Sequence, residues 1–352
     1  MNFASDNVVG ASRPVLEALL AANDGAEPAY GADSFTKRAE EMLARVFERE
    51  CSAFLVATGT GANALALAAA TPPWGAVFCH AEAHVLDDEC GAPEMFSGGA
   101  KIVGIPGVGG KFDPAGLEEA LERYPRGVVK AVQPALVSIS QVTEAGTLYT
   151  LAEIRAIADV AKRHGLKTHL DGARFANALD GLGCTAAEMT WKAGVDIVSF
   201  GATKNGGLAC EAVVIFDKAL AEDFPYRRKR SGHTVSKGRL LGAQMVGYLE
   251  NDHWLDNARH ANGAARTLSR GLAAVAGVRL PWPTQANEVF AVLPALVAKA
   301  VTGAGYRFAP WSSGSLPDGF SIGPDEVFAR FVTSFATRAD DVEGLLAAAR
   351  QG

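Results

Sequence analysis

Asp196-Ile197-Val198-Ser199-Phe200-Gly201-Ala202-Thr203-Lys204-Asn205 decides how this chain reads: an apolar strand runs into small residues that deliver one lysine. An amine presented in that way can form an imine with an aldehyde. Upstream, Leu166-Lys167-Thr168-His169-Leu170-Asp171-Gly172-Ala173-Arg174 reads as a second short strand that ends in a carboxylate and an arginine. A strand-end lysine alone says little, since most lysines are solvated surface charges; the pair in this order says more. Further upstream, Phe54-Leu55-Val56-Ala57-Thr58-Gly59-Thr60-Gly61-Ala62-Asn63 feeds glycines into an alanine- and leucine-rich stretch that reaches Ala70. This is strand, turn and helix, and the free N–H groups and dipole of a helix start suit a phosphate. The run lacks the third glycine of a dinucleotide fingerprint and the Gly-Lys-Ser/Thr ending of a Walker loop, which leaves a cup for a single phosphate.

Around these motifs the pattern alternates. Apolar runs at 76–79, 101–105, 128–132, 168–171, 197–200 and 212–216 are separated by helical patterns such as 114–124 and 151–164, the latter opening with Thr150 and Glu153 in capping-box spacing. Alternation of this kind predicts an α/β fold with a mostly parallel sheet flanked by helices, and ligands bound beyond the carboxyl ends of the strands. The proposed cup, Asp171 and Lys204 all fall just past such ends. After Lys237 a helical stretch to about 251, another at 254–272, apolar runs at 289–293 and 327–335 and a final helix at 340–350 read as a smaller α+β domain. The expected organisation is an N-terminal segment 1–14 that contributes to the site, a large domain 15–245 and a small domain 246–352. The Ser/Gly/Pro-rich stretch 312–319 reads as a mobile loop.

Composition excludes several classes. A formal net charge of −6 offers no basic surface for nucleic acid, and the cluster Arg227-Arg228-Lys229-Arg230 is read as a solvated stretch. No apolar run approaches the roughly 20 residues needed to span a bilayer and no leader pattern is visible, so the cytoplasm is expected. Five cysteines without paired ligand spacing are read as reduced thiols, with no metal site.

Thr58-Gly59-Thr60-Gly61-Ala62-Asn63, His84, His169-Leu170-Asp171-Gly172-Ala173-Arg174 and Ser199-Phe200-Gly201-Ala202-Thr203-Lys204-Asn205, with Phe3-Ala4-Ser5-Asp6-Asn7 and Tyr30-Gly31-Ala32-Asp33, resemble the threonine aldolases of the aspartate-aminotransferase-like superfamily. These enzymes use pyridoxal 5'-phosphate (PLP). The resemblance covers nearly the whole chain and implies the PLP-dependent transferase-like fold (fold type I). It implies Lys204 as the Schiff-base lysine, Asp171 as the partner of the protonated pyridine and His84 as a ring stacked on the cofactor near the substrate's hydroxyl. Gly59, Thr60, Gly61, Ser199, Thr203 and Arg174 would complete the cofactor site, with Arg230 reaching the phosphate of a neighbouring subunit. Ser5, Tyr30, Arg174 and Arg330 would bind the substrate, the last in Phe328-Ala329-Arg330-Phe331-Val332-Thr333. A homodimer or homotetramer with shared sites is expected.

The implied reaction is retro-aldol cleavage of L-threonine, L-allo-threonine and related L-β-hydroxy-α-amino acids to glycine and an aldehyde. One departure stands out. Where a Glu-Asn-Thr-His-Asn-Gly segment is often found in the family, this chain has Ser140-Gln141-Val142-Thr143-Glu144-Ala145-Gly146-Thr147. That leaves His84, or a water it orients, as the base, with Gln141 and Glu144 as candidate partners. It also suggests tolerance of bulky substrates such as phenylserine in a pocket lined by Tyr30, Phe308 and Trp311. A β-eliminating lyase is the alternative within the same fold, and a non-catalytic binding module the alternative from another class.

Overall fold

Buried apolar runs alternating with amphipathic helices can satisfy their backbones as a sheet with helices on both faces. In this computed structural model, which describes residues 1–312 and 314–352, they do so. Of the loop expected at 312–319, Ser313 lies outside the described residues. The strands β1 (Ser52–Val56), β2 (Gly75–His80), β3 (Lys101–Ile105), β4 (Gln133–Ser140), β5 (Lys167–Gly172), β6 (Ile197–Gly201) and β7 (Glu211–Ile215) form a 7-stranded sheet in the order β1-β7-β6-β5-β4-β2-β3. From β3 to β6 neighbours run parallel, while β7 lies antiparallel between β6 and β1. The short link between β6 and β7 dictates that reversal, because a parallel return needs a crossover of about a dozen residues.

One expected strand is displaced. Residues 128–132 form a turn in which Val129 is fully exposed, and β4 begins immediately after them. The Gln133 side chain folds back over this turn, accepting from the Gly127 N–H at 2.9 Å and donating to the Ala131 carbonyl at 3.0 Å. Pro134 sits at the start of the strand beside a register shift against β2, where a missing N–H is tolerated. The capping box at Thr150 and Glu153 is present and opens the helix Leu151–Arg163.

A second sheet, β8 (Glu288–Pro294), β9 (Ala309–Pro310) and β10 (Glu326–Val332), is antiparallel in the order β8-β10-β9. Two larger cores result. One holds Phe47, Phe78, Tyr149, Phe175, Phe200 and Trp254; the other holds Phe3, Leu268, Leu272, Val289, Phe331 and Leu345. The helix His253–Ala273 supplies Trp254 to the first and Leu268 to the second, tying the two together. The N-terminal segment docks on the smaller sheet: Phe3 is fully buried, and its carbonyl accepts from the Val332 N–H at 2.7 Å. No helix among the described residues is long and apolar enough to cross a membrane.

Candidate active site

The carboxyl ends of the parallel strands open into a pocket of about 560 Å³, as the topology requires. Lys204 lines it, delivered by β6. That strand is anchored by Phe200, whose ring packs on Phe175 at 5.2 Å, Trp254 at 5.6 Å and Phe47 at 6.0 Å. A Cβ at Gly201 would lie 2.5 Å from the Ala173 carbonyl oxygen, so only glycine lets the ends of β5 and β6 come this close. The turn beyond Lys204 is fixed by Asn205, whose Nδ2 donates to the Tyr248 hydroxyl at 2.9 Å and the Trp254 carbonyl at 2.8 Å. Glu211, across the sheet register from Gly201, accepts from the Ala202 N–H at 2.7 Å; burial pushes its carboxyl up to about 7.

Asp171, at the end of β5, also lines the pocket and is buried. Its Oδ2 accepts from Asn63 Nδ2 at 2.8 Å and its Oδ1 from the Ala173 N–H at 3.0 Å. Asn63, one turn into the helix Gly59–Ala70, also reaches Glu89 Oε1 at 2.8 Å, and the same oxygen meets His84 Nδ1 at 2.9 Å. A continuous chain therefore runs Asp171–Asn63–Glu89–His84. The carboxylate fixes the imidazole proton on Nδ1, leaving Nε2 for the pocket. The hydrogen bond His84 donates to Glu89 raises the His84 pKa, and burial raises that of Glu89. Glu144 Oε1 accepts from the His84 N–H and from the Ser140 hydroxyl, each at 2.8 Å, while its Oε2 is buried without a hydrogen bond. Burial pushes the Glu144 carboxyl up to about 7.

The third group is cationic. Arg174 and Arg330 line the pocket beside Ser5. Arg174 binds Asp6 through Nε at 2.7 Å and Nη2 at 3.1 Å, and its Nη1 lies 3.2 Å from Glu288 Oε2. Burial works against the Arg174 charge, but Asp6 and Glu288 outweigh it and raise its pKa. Arg330 stacks 4.2 Å from the Trp311 ring centroid and donates to the Ala4 carbonyl at 3.3 Å.

Other expected residues fall differently. Gly59, Thr60, Ser199 and Thr203 line the pocket. Ser199 Oγ is 2.9 Å from Nε2 of the buried His169, whose pKa burial lowers to about 4. Gly61 turns away from the pocket: its N–H is capped by Thr58 Oγ1 at 3.0 Å, and a Cβ there would lie 2.2 Å from His233 Nε2. Tyr30 and Arg230 are exposed and outside the pocket of their own chain. Phe308 packs 5.0 Å from Phe331 at the smaller core instead of lining the pocket. Gln141 is fully buried and spans the Tyr149 backbone, accepting from its N–H and donating to its carbonyl at 2.9 Å each, so it faces no ligand. Asp6, Asn63, Glu89, Glu211 and Glu288 were given no role by the sequence; Asn63, closing the glycine motif, and Asp6, inside Phe3-Ala4-Ser5-Asp6-Asn7, carried a local signal, and the three glutamates carried none.

The fold and the pocket together define the α/β class of PLP-dependent enzymes. The family model described as beta-eliminating lyase matches residues 2–295. The chain is 45% identical over 311 residues to the low specificity L-threonine aldolase of a Pseudomonas sp., covering 87% of this chain and 88% of that protein. The same figures hold for the low specificity L-threonine aldolase of Pseudomonas aeruginosa. A solved structure of the Leishmania major threonine aldolase matches with a TM-score of 0.92 at 30% identity, covering 99% of this chain and 98% of that one. The chain belongs to the beta-eliminating lyase family.

Proposed function

We propose that this chain is a carbon–carbon lyase that uses PLP to cleave L-threonine, L-allo-threonine and related L-β-hydroxy-α-amino acids to glycine and an aldehyde. The observation that carries the reading is the convergence of Lys204, Asp171, His84 and the arginine pair on one pocket. The donor set fits the cofactor. The helix start at Gly59 and Thr60 suits a phosphate, and a Cβ at Gly59 would meet nothing within 4 Å, so the approach is open. Asp171, buried and held by two donors, suits a protonated pyridine nitrogen. Lys204 is the amine that would hold the cofactor covalently.

When bound, PLP supplies an electron sink that weakens the bonds at Cα. The chain's residues choose which bond breaks. Arg174 and Arg330 would grip the substrate carboxylate and Ser5 would add a hydroxyl, fixing the rotation about Cα so that the Cα–Cβ bond is the one aligned. His84 Nε2 accepts the β-hydroxyl proton, Cα–Cβ breaks, the aldehyde departs and Cα regains a proton to give glycine. Trp311 covers the Arg330 guanidinium and offers a flat apolar wall for aromatic side chains such as that of phenylserine. We further infer a cytoplasmic homodimer or homotetramer in which Arg230 and Tyr30, exposed on their own chain, reach a neighbour's site.

The test incubates the PLP-loaded protein with L-threonine, L-allo-threonine and L-phenylserine separately and quantifies glycine, aldehyde, keto acid and ammonia. Glycine and aldehyde in equal amounts, lost in Lys204→Ala, are expected. Keto acid and ammonia without glycine would replace the aldolase by a β-eliminating lyase.

A further inference from the structure

Glu288 stands at the start of β8 with its side chain fully buried, and neither carboxylate oxygen has a hydrogen-bond partner among the described residues. Its charge faces two guanidinium groups: Arg174 Nη1 at 3.2 Å and Arg330 Nη1 at 3.8 Å. Arg174 is already closed onto Asp6 by two hydrogen bonds, and Asp6 also accepts from Asn287 Nδ2 at 3.1 Å. Arg330 is the open member, with its buried Nε unpartnered. Two arginines and two carboxylates thus form a cluster of zero net charge on the wall where the substrate carboxylate is expected.

A third carboxylate entering that cluster would make it net negative away from bulk water, where like charges suppress ionisation. One of the resident acids must give way. Asp6 is held by hydrogen bonds to its charged form, whereas Glu288 has none. Glu288 is also confined, because a Cβ added at Gly146 would lie 3.0 Å from the Glu288 Cβ, so the loop carrying Gly146 packs directly on it. It is therefore better placed to change protonation than to swing aside.

We propose that Glu288 is a positioning residue and exchangeable counter-ion of the clamp, balancing Arg174 and Arg330 in the free enzyme and taking up one solvent proton when a substrate carboxylate joins Arg330. This rests on the clamp reading above. The charged groups facing Glu288 are Arg174 after β5, Arg330 on β10, Asp6 on the N-terminal segment and Lys204 after β6. Burial raises the Glu288 pKa while the two arginines oppose it, which leaves the group within reach of a further push. The neutral acid then donates a hydrogen bond to the incoming carboxylate and releases Arg330 Nη1 and Arg174 Nη1, while Arg174 Nε and Nη2 stay on Asp6. Binding consequently weakens as pH rises through the range in which free Glu288 ionises.

The experiment is calorimetric binding of 3-hydroxybutyrate, a carboxylate without an amino group, to the PLP-loaded protein in buffers of different ionisation enthalpy, which counts protons exchanged. Wild type is expected to take up protons. Glu288→Gln is expected to take up none and to bind about tenfold more tightly, since its arginines keep an unbalanced positive charge. Full-strength binding by wild type without proton uptake overturns the role of Glu288 while leaving the clamp intact, and needs no variant to be read. Uptake undiminished in Glu288→Gln overturns it equally. Absence of binding, or binding indifferent to Arg330→Lys, overturns the clamp and this inference with it.

Discussion

The two ends of the pocket are built on opposite plans. At the Asp171 end, Asp171, Asn63 and His84 lie on a strand and two helices of the large sheet's layers and Glu89 on the bend just after His84's helix, joined by hydrogen bonds of 2.8–2.9 Å. At the arginine end, Asp6, Arg174, Glu288 and Arg330 come from the N-terminal segment, the end of β5 and two strands of the smaller sheet, and the cluster contains a carboxylate with no hydrogen bond. The first is joined by hydrogen bonds before any ligand arrives. The second is held by charge balance across the junction of the two cores, and that is where, on the clamp we propose, a ligand carboxylate would alter the state of the protein. A cofactor that stays benefits from preorganisation, and a substrate that comes and goes benefits from a counter-ion that can yield.

Substitutions that injure one end and spare the other test this contrast. Arg330→Lys keeps the charge but loses the planar fork, and should raise the substrate KM by about 30-fold with a smaller change in kcat. Cofactor affinity should be unchanged, and a parallel fall in cofactor binding would merge the two ends. Asn63→Ala removes donors to two carboxylates and should weaken cofactor retention by about tenfold, seen in an absorbance titration, with substrate KM little altered. Glu89→Gln takes away the carboxylate whose charge-assisted hydrogen bond raises the His84 pKa. The acidic limb of the kcat–pH profile should move to lower pH, because the imidazole would then lose its proton, and become a base, at lower pH; an unmoved limb would remove His84 as the base.

The smallest effect concerns stability. Burial raises Glu144 from 4.5 to about 7, so the folded protein holds that proton more tightly than the unfolded chain does. Its contribution is fully present below the unfolded value and is lost as pH rises through about 7. Relative to wild type, Glu144→Gln should therefore gain on the order of 2 kcal/mol between about pH 5 and about pH 8, read from urea midpoints. No relative gain would show that Glu144 is not buried as a neutral acid.

The same contrast governs what the sequence discloses. Asp171 and Lys204 are legible because each follows an apolar run directly, and topology puts the carboxyl ends of adjacent parallel strands side by side. Thr150 and Glu153 announce a helix start by local spacing alone. The turn at 128–132 is misread because an apolar run has no local mark of whether the sheet will cover it, and Val129 is left in solvent. Gly61 looks like part of a phosphate cup, yet what excludes a side chain there is His233, remote in the chain. Asp6 and Glu288 are separated by most of the chain and meet only when the N-terminal segment docks on the smaller sheet, so no spacing rule could pair them. Glu89 and Glu211 look like ordinary surface acids until burial and partners are known.

The central claim is that Lys204 carries the cofactor in the pocket it shares with Asp171. Reduction of the PLP-loaded protein with borohydride, followed by proteolysis and mass spectrometry, tests it directly. The account predicts the reduced cofactor mass on the peptide containing Lys204 and no such label in Lys204→Ala. Label on a different lysine of the wild-type protein, or none at all, would contradict it.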